Sequence, residues 1–594
     1  MAPPRTRRLG LVTGLSLLAL VIVLVGIGIW MALGALTAYE RLSSAREDIT
    51  ELQQDVTDGN IAGIDARVAS LRADTAEARD AVDTWAWRLA AYAPVLGDDV
   101  TALRTVVAVT DDLADGPAAS LARAATTLTA DALKPVDGRV PLEPLREAAP
   151  GVTAGFDGLV AARTDLGSLD TSGVAGPLAD AVAELRGEVI DLVDRVALAD
   201  RLVTLLPPML GGDGPRRYLL LNQNTAEARS LGGIAGTAIL VTANDGRIRL
   251  QRQVAGNTFG ELEEPVLPLS LAEQSLYGIG LGTYFLNAPN TPDFPRAAEL
   301  AAARWQRDVG QEVAGVLSVD PAALALLLRA TGPVQVGGVE LTADNAASLL
   351  LSGVYAALPD PTAQDEFFAL AAKRVFDRLA AGRADVRVAA ESLATAVEEG
   401  RLLLWSRRAG EQAELSGSPV AGELDGRDGR RPELGVYLFE TTASKLSYYE
   451  TLDVTTRPVC SEGEPDPSGD IAVRVEVGSQ VPRSREARES LPDYVVAGSD
   501  PLGTLRTQVF LYAPPEAGFG SVLVDGEPVG IRSVLHDGLF VAAVEVEVPP
   551  GGTVVVVTRL KDLSAAAARP GALAVRTTPM SRHTQLTKQA LDCP

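Results

Sequence analysis

The 594-residue sequence predicts an α+β multidomain protein, and three changes of texture along the chain carry that prediction. An uncharged apolar run near the start gives way to alanine- and leucine-rich text with three- and four-residue apolar spacing. Strand and helix signals then alternate, and the last quarter holds short apolar strands parted by Gly, Pro and Asp. These textures predict a basic tail (1–8), a transmembrane anchor (9–36), a helical stalk or bundle (37–206), a central α/β domain (216–452) and a C-terminal immunoglobulin-like β-sandwich (453–594).

The anchor is predicted first. Arg5, Arg7 and Arg8 precede a run from Leu9 to Leu36 with no charged residue. About 20 apolar residues cross a bilayer as a helix. The arginines before the run place the N-terminus inside and the body outside, which makes the chain an extracytoplasmic membrane protein. The run is longer than the ~7–15 apolar residues of a cleaved signal peptide, so a retained single span is expected. Outside the cytoplasm Cys460 and Cys593, the only cysteines, are expected to pair and to staple the tail to the start of the last domain.

In residues 37–206 the spacing of apolar positions predicts amphipathic helices. Asp58-Gly59-Asn60, Pro94 to Gly97, Gly116-Pro117 and Pro150-Gly151 are expected to break them, and the Pro/Gly cluster from Pro207 to Pro215 to form a hinge. In the central region a helix is expected over 296–310, a buried strand over 313–319, a helix from Pro321 to Ala330 capped by Asp320, and a long helix over 363–381 carrying Phe367 and Phe368. Beyond residue 453 about seven strands, with a hairpin turn at Asp525-Gly526, predict the sandwich.

Composition narrows the chemistry. A formal charge of −24 and a pI near 4.6 argue against nucleic acid as a partner. With two histidines (His536, His583) and two cysteines, no thiolate or imidazole metal cluster can be assembled. No GxSxG, GxxxxGK[ST], HExxH or Rossmann glycine pattern is present, so no catalytic residue, metal or cofactor is expected.

Residues 216–260 are the richest stretch. The apolar run Tyr218 to Leu221 leads into Asn222, Gln223, Asn224, Glu227 and Arg229, then Gly232, Gly233 and Gly236, then the apolar run Thr237 to Val241. Polar residues on strand edges beside glycines predict a ligand-binding place. The candidate set is Asn224, Glu227, Arg229, Gly232, Gly233, Arg252, Asn257 and Asp293, with Arg229 as the anion-binding group. The competing reading is turn-capping asparagines and an ion pair between Glu227 and Arg229. Trp305 and Trp405 read as core.

These residues carry a resemblance. Arg217 to Arg229, Leu231-Gly-Gly-Ile-Ala-Gly236, Thr291-Pro-Asp-Phe-Pro295 and Val319-Asp-Pro321 resemble the bacterial family called domain of unknown function 4012, found in actinobacteria and other bacteria with elaborate envelopes. The order of strands and helices of the central domain is more distantly similar to the LytR-CpsA-Psr proteins. That similarity implies an outward-facing domain that handles glycopolymers on a polyprenyl-pyrophosphate carrier, with arginines, aspartates and magnesium. The chain departs from that pattern at Ala235-Gly-Thr237 and Gln253-Val-Ala255, where those proteins carry Arg-Asp-Thr and Pro-Arg-Asp. The resemblances imply a cell-envelope protein that binds a glycopolymer or its polyprenyl-phosphate carrier. The alternatives are a structural or interaction protein of the envelope without ligand, and a divergent glycopolymer transferase.

Overall fold

The computed structural model describes residues 6–58, 60, 63–94, 96–358, 360–424, 432–461, 464–465, 468–563, 573–582 and 584–588; among residues 6–25 the backbone alone is described. It divides into two compact units: residues 1–133 with 141–208, and residues 134–140 with 209–594. The protein is multidomain and α+β.

The first unit is helical. Helices α1 (Thr6–Asp58), α2 (Ile64–Val82), α3 (Trp85–Ala90), α4 (Gly97–Leu113), α5 (Ala119–Thr127), α6 (Glu143–Ser168) and α7 (Gly176–Met209) follow one another. Their apolar stripes meet in small cores, the largest joining Leu145, Val152, Leu159 and Leu166 of α6 to Val189, Val193 and Val203 of α7. The expected break at Pro150-Gly151 does not occur, because α6 runs through it unbroken. Gly155 and Gly158 explain why this face stays small: a Cβ there would overlap Leu121 and Pro117 respectively, so α5 and the turn before it lie close against α6. Gly116-Pro117 likewise forms a π-helical turn over Ala114–Ala118 instead of ending the helix. The hinge begins later than expected, since α7 carries Pro207 and Pro208 to Met209.

The apolar run over 9–36 falls on α1, with residues 9–25 outside those whose side chains are described. Among the described residues no helix is long and apolar enough to cross a membrane.

The second unit opens with strands β1 (Arg216–Arg229), β2 (Gly232–Asn244), β3 (Arg247–Ala255) and β4 (Gly315–Val319). A hairpin of β5 (Val334–Val336) and β6 (Val339–Leu341) comes next, then β7 (Leu402–Ser406). The central sheet has the order β3-β2-β1-β4-β7, with only the β1–β4 pair parallel. The β2–β3 turn places Asp245 and Gly246 at φ 49° and 73°, a two-residue turn that suits the twist of the hairpin.

Alternation along β1 sorts its side chains. Leu219 and Leu221 enter the main core with Phe294, Ala298 and Trp305 of the helix Phe294–Val309. Leu220 and Asn222 face the other way, toward the helices Pro321–Thr331 and Pro361–Ala380. The first of these is capped as expected, Asp320 Oδ1 accepting from Ala323 N at 2.7 Å with proline at N1.

The sandwich begins earlier than residue 453. Strand β8 (Glu433–Glu440) already belongs to it, followed by β9 (Glu450–Pro458), β10 (Cys460–Ser461), β11 (Glu464–Pro465), β12 (Ile471–Ser479) and β13 (Leu505–Tyr512). The short strands β14 (Gly518–Phe519), β15 (Leu523–Val524) and β16 (Glu527–Pro528) precede β17 (Arg532–His536), β18 (Leu539–Val548) and β19 (Thr553–Lys561). The chain returns through β20 (Ala574–Thr577) and β21 (Gln585–Lys588). One sheet runs β17-β18-β13-β8-β20 and the other β16-β15-β19-β12-β9-β21, with β14 also paired to β19. Asp525 and Gly526 form the expected turn.

The first of these sheets is apolar on both faces. Val436, Leu438, Val509, Leu511 and Val544 face its partner sheet. Tyr437, Phe510, Tyr512, Val541 and Ala543 share the core of Trp305 and the central sheet. One continuous core therefore joins the central domain to the sandwich and makes residues 209–594 part of one compact unit.

Candidate functional site

Two register shifts in the β1–β2 pairing, at Asn222/Gln223 and Asn224/Ala228, push the polar end of β1 out of regular alternation. Gln223 stays buried and ties three strands: its Nε2 donates to Ser318 Oγ at 2.6 Å and its Oε1 accepts from Gly233 N at 2.8 Å. A Cβ at Gly233 would overlap the Asn224 carbonyl, and one at Gly232, where φ is 127°, would press on Gln223 Oε1. The two glycines of the candidate set therefore serve strand packing.

Beyond the bulges, Glu227 and Arg229 meet residues that precede and follow the end of β8, and Asn224 meets Tyr355. Asn224 Nδ2 donates to Tyr355 Oη at 3.0 Å, and its Oδ1 accepts from Ala226 N at 3.2 Å. Glu227 is ion-paired with Lys445 at side-chain exposures of 18% and 19%, so it does not pair with Arg229. Lys445 Nζ also lies 4.8 Å from the Tyr355 ring centroid. Half-buried Arg229 sits over the Phe439 ring at 4.8 Å, donates to the Ala228 carbonyl at 2.8 Å, and approaches Asn287 Oδ1 and the Glu440 carbonyl at 3.4 Å each. Burial lowers the Arg229 pKa, against the raising influence of Glu440 and Glu227. Burial also pushes the Glu440 carboxyl up to about 8, although Ser444 and Thr442 donate to its Oε1. Two cations, one paired carboxylate and one carboxyl kept largely protonated at neutral pH make a latch between β1 and the sandwich that carries one cation in excess.

The rest of the candidate set lies elsewhere. Arg252 is exposed where β3 bulges against β2, and Asn257 is exposed on the short turn Gly256–Phe259. Asp293 precedes the helix Phe294–Val309 and accepts from Leu424 N at 3.0 Å, with burial raising its carboxyl to about 6. Trp305 and Trp405 are both core. Cys460 lies on β10, while Cys593 and His583 are outside the described residues. Among the described residues no group of three or more His, Cys, Asp or Glu is placed to hold a metal ion.

A concave feature lies on the other face of the central sheet. A slot of about 90 Å³ is floored by Leu220, Asn222, Thr237, Ile239 and Gln253 and roofed by Leu324, Leu327, Leu350, Phe368 and Ala372. Its walls are mainly aliphatic and aromatic, and amide, hydroxyl and carboxylate groups stand at Asn222, Gln253, Thr237 and Asp320. Asp320 is paired to Arg401 at 2.6 Å. Sequence reasoning named Asp320 and Phe368 for their helices and missed the slot, because its lining comes from six separate stretches of chain.

Fold and site together define a multidomain α+β protein in which a mixed sheet carries an apolar slot on one face and a sandwich on the other. Residues 213–355 match the model of the family described as protein of unknown function (DUF4012). No curated protein and no solved structure matches the chain.

Proposed function

We propose that the chain is a single-pass, membrane-anchored, extracytoplasmic protein of the cell envelope whose central domain takes up the lipid part of a polyprenyl-phosphate carrier or of a glycopolymer built on it. The slot between the central sheet and the helices Pro321–Thr331 and Pro361–Ala380 is the observation that carries this reading. Pockets for apolar ligands are largely preformed and lined by aliphatic and aromatic side chains with a few polar groups at fixed places. The slot has that make-up, and its volume of about 90 Å³ limits it to a short segment of the isoprenoid chain. Its rim offers amides and no unpaired cation, so the apolar chain and not the phosphate is the recognised part. The uncharged run over 9–36 behind three arginines supports the anchor, and the order of strands similar to LytR-CpsA-Psr proteins supports the ligand class. The sandwich is proposed to be immunoglobulin-like, with Cys460 bonded to Cys593. In the chain-entropy account such a loop contributes about 4–5 kcal/mol.

The test is equilibrium binding of radiolabelled undecaprenyl phosphate to the full chain in detergent micelles. Ala372→Phe, which fills the slot, is expected to weaken binding at least tenfold while leaving the melting temperature near the parent's. Undiminished binding by a folded Ala372→Phe protein sinks the reading.

A second reading, a structural or interaction protein, is favoured by one observation. Glu227 and Arg229 are engaged with Lys445, Phe439 and Glu440, and Arg229 lines neither the slot nor the larger cleft described next.

A further inference from the structure

The second unit holds a larger cavity than the slot. A cleft of about 480 Å³ opens between the end of β1, the turn after the helix Val386–Glu398, the segment 417–423 and the returning strands β20 and β21. That volume falls within the ~300–1,000 Å³ usual for small-molecule sites. Ser230 lines it, is 1% exposed, and its Oγ has no hydrogen-bond partner. A buried hydroxyl left unpaired costs roughly 1–3 kcal/mol, so an unpartnered one on a cavity wall points to a ligand group that completes it.

The charges of the lining decide which ligand. Glu398, Glu399, Glu423 and Glu433 share it with Arg401 and Arg576. Arg401 is held by Asp320 at 2.6 Å and Glu399 at 2.5 Å, and donates to the Met580 carbonyl at 3.0 Å. Arg576 donates to the Glu423 carbonyl at 2.5 Å. The guanidinium groups are thus already engaged and the lining keeps an acidic surplus, which repels phosphate and carboxylate. Glu399 is taken up by Arg401, and Glu423 by Gln412, Ser416 and Gly417. The lone pairs these leave on the lining carboxylates accept from hydroxyl groups, the hydroxyls of Ser230 and Thr577 can donate or accept, and Leu231, Val575 and Pro579 offer apolar surface. Hydroxyl-bearing edges and apolar C–H faces are the two surfaces of a sugar ring.

We propose that this cleft binds a saccharide without anionic groups. The inference does not rest on the lipid reading of the slot. The two linings share no residue, and the Asp320–Arg401 pair links them, Asp320 belonging to the slot and Arg401 to the cleft.

Saturation-transfer NMR and calorimetry on the full chain in micelles, with maltotriose, N-acetylglucosamine, glucosamine and inorganic phosphate as separate probes, test it. Saturable binding of at least one of the three sugars is expected, with none for phosphate. Ser230→Ala is expected to weaken the sugar about three- to tenfold, in line with the loss of one buried hydrogen bond. Thr577→Trp, which fills the cleft, is expected to abolish binding with an unchanged melting temperature. Ala372→Phe is expected to leave sugar binding intact, so failure of the slot reading and failure of this one are told apart. The proposal is overturned if no sugar binds, if phosphate binds better than any sugar, or if a folded Thr577→Trp protein binds as the parent does.

Discussion

Gly233 shows how little room the polar end of β1 leaves. Its amide is donated to Gln223 and its missing Cβ makes way for the Asn224 carbonyl, so Gly233→Ala is expected to destabilise the protein by about 3 kcal/mol, at the upper end for overpacked sites. Chemical denaturation checks this, and a loss below ~0.5 kcal/mol would contradict the packing role, since changes away from such features stay within that range. Lys445→Ala removes the partner of Glu227 and is expected to cost about 1–3 kcal/mol, less than a fully buried pair because both side chains keep about a fifth of their exposure. Glu440 and Glu450 give a pH signature. Burial raises their carboxyls to about 8 and about 7, above the 4.5 of an open chain, so the folded state binds more protons in between. Stability should therefore fall as pH rises from about 5 to about 8. Glu440→Gln should raise the melting temperature at pH 8 and flatten that slope, and an unchanged slope would show that the carboxyl is ionised throughout.

At the scale of elements, helices and strands were legible where period and punctuation agreed. Asp320-Pro321 announced a capped helix, and Asp525-Gly526 a hairpin turn. Pro150-Gly151 misled, because a proline cancels one i→i−4 bond but close packing by the glycine-lined face of α6 sustains the helix around it. Pro150→Ala is accordingly expected to stabilise the helical unit by about 1–3 kcal/mol, read as a rise in its unfolding midpoint. The candidate site was legible only in part. Crowded polar residues on one strand marked Asn224, Glu227 and Arg229 as neighbours, but Lys445, Phe439 and Glu440 arrive from more than 200 residues away and no local pattern announces them. Arg252 and Asn257 looked convergent in the sequence because strand spacing gives no sign of the bulge that turns Arg252 to solvent or of the turn Gly256–Phe259 that exposes Asn257.

In the molecule as a whole, the sheet β17-β18-β13-β8-β20 is shared property, with one face in the sandwich core and the other in the core of the central domain. The central domain and sandwich should therefore unfold in one calorimetric transition, and Val509→Ala in the sandwich should lower the same transition as Leu300→Ala in the central domain. Two transitions that respond separately would mean that the shared core couples them weakly. The central claim remains that the slot over the central sheet grips a segment of a polyprenyl chain, and position-resolved crosslinking tests it most directly. A photoactivatable polyprenyl phosphate irradiated with the full chain should label peptides from the helices Pro321–Thr331 and Pro361–Ala380, and Ala372→Phe should erase that label. Labelling confined to α1, or unaffected by the substitution, would contradict the account.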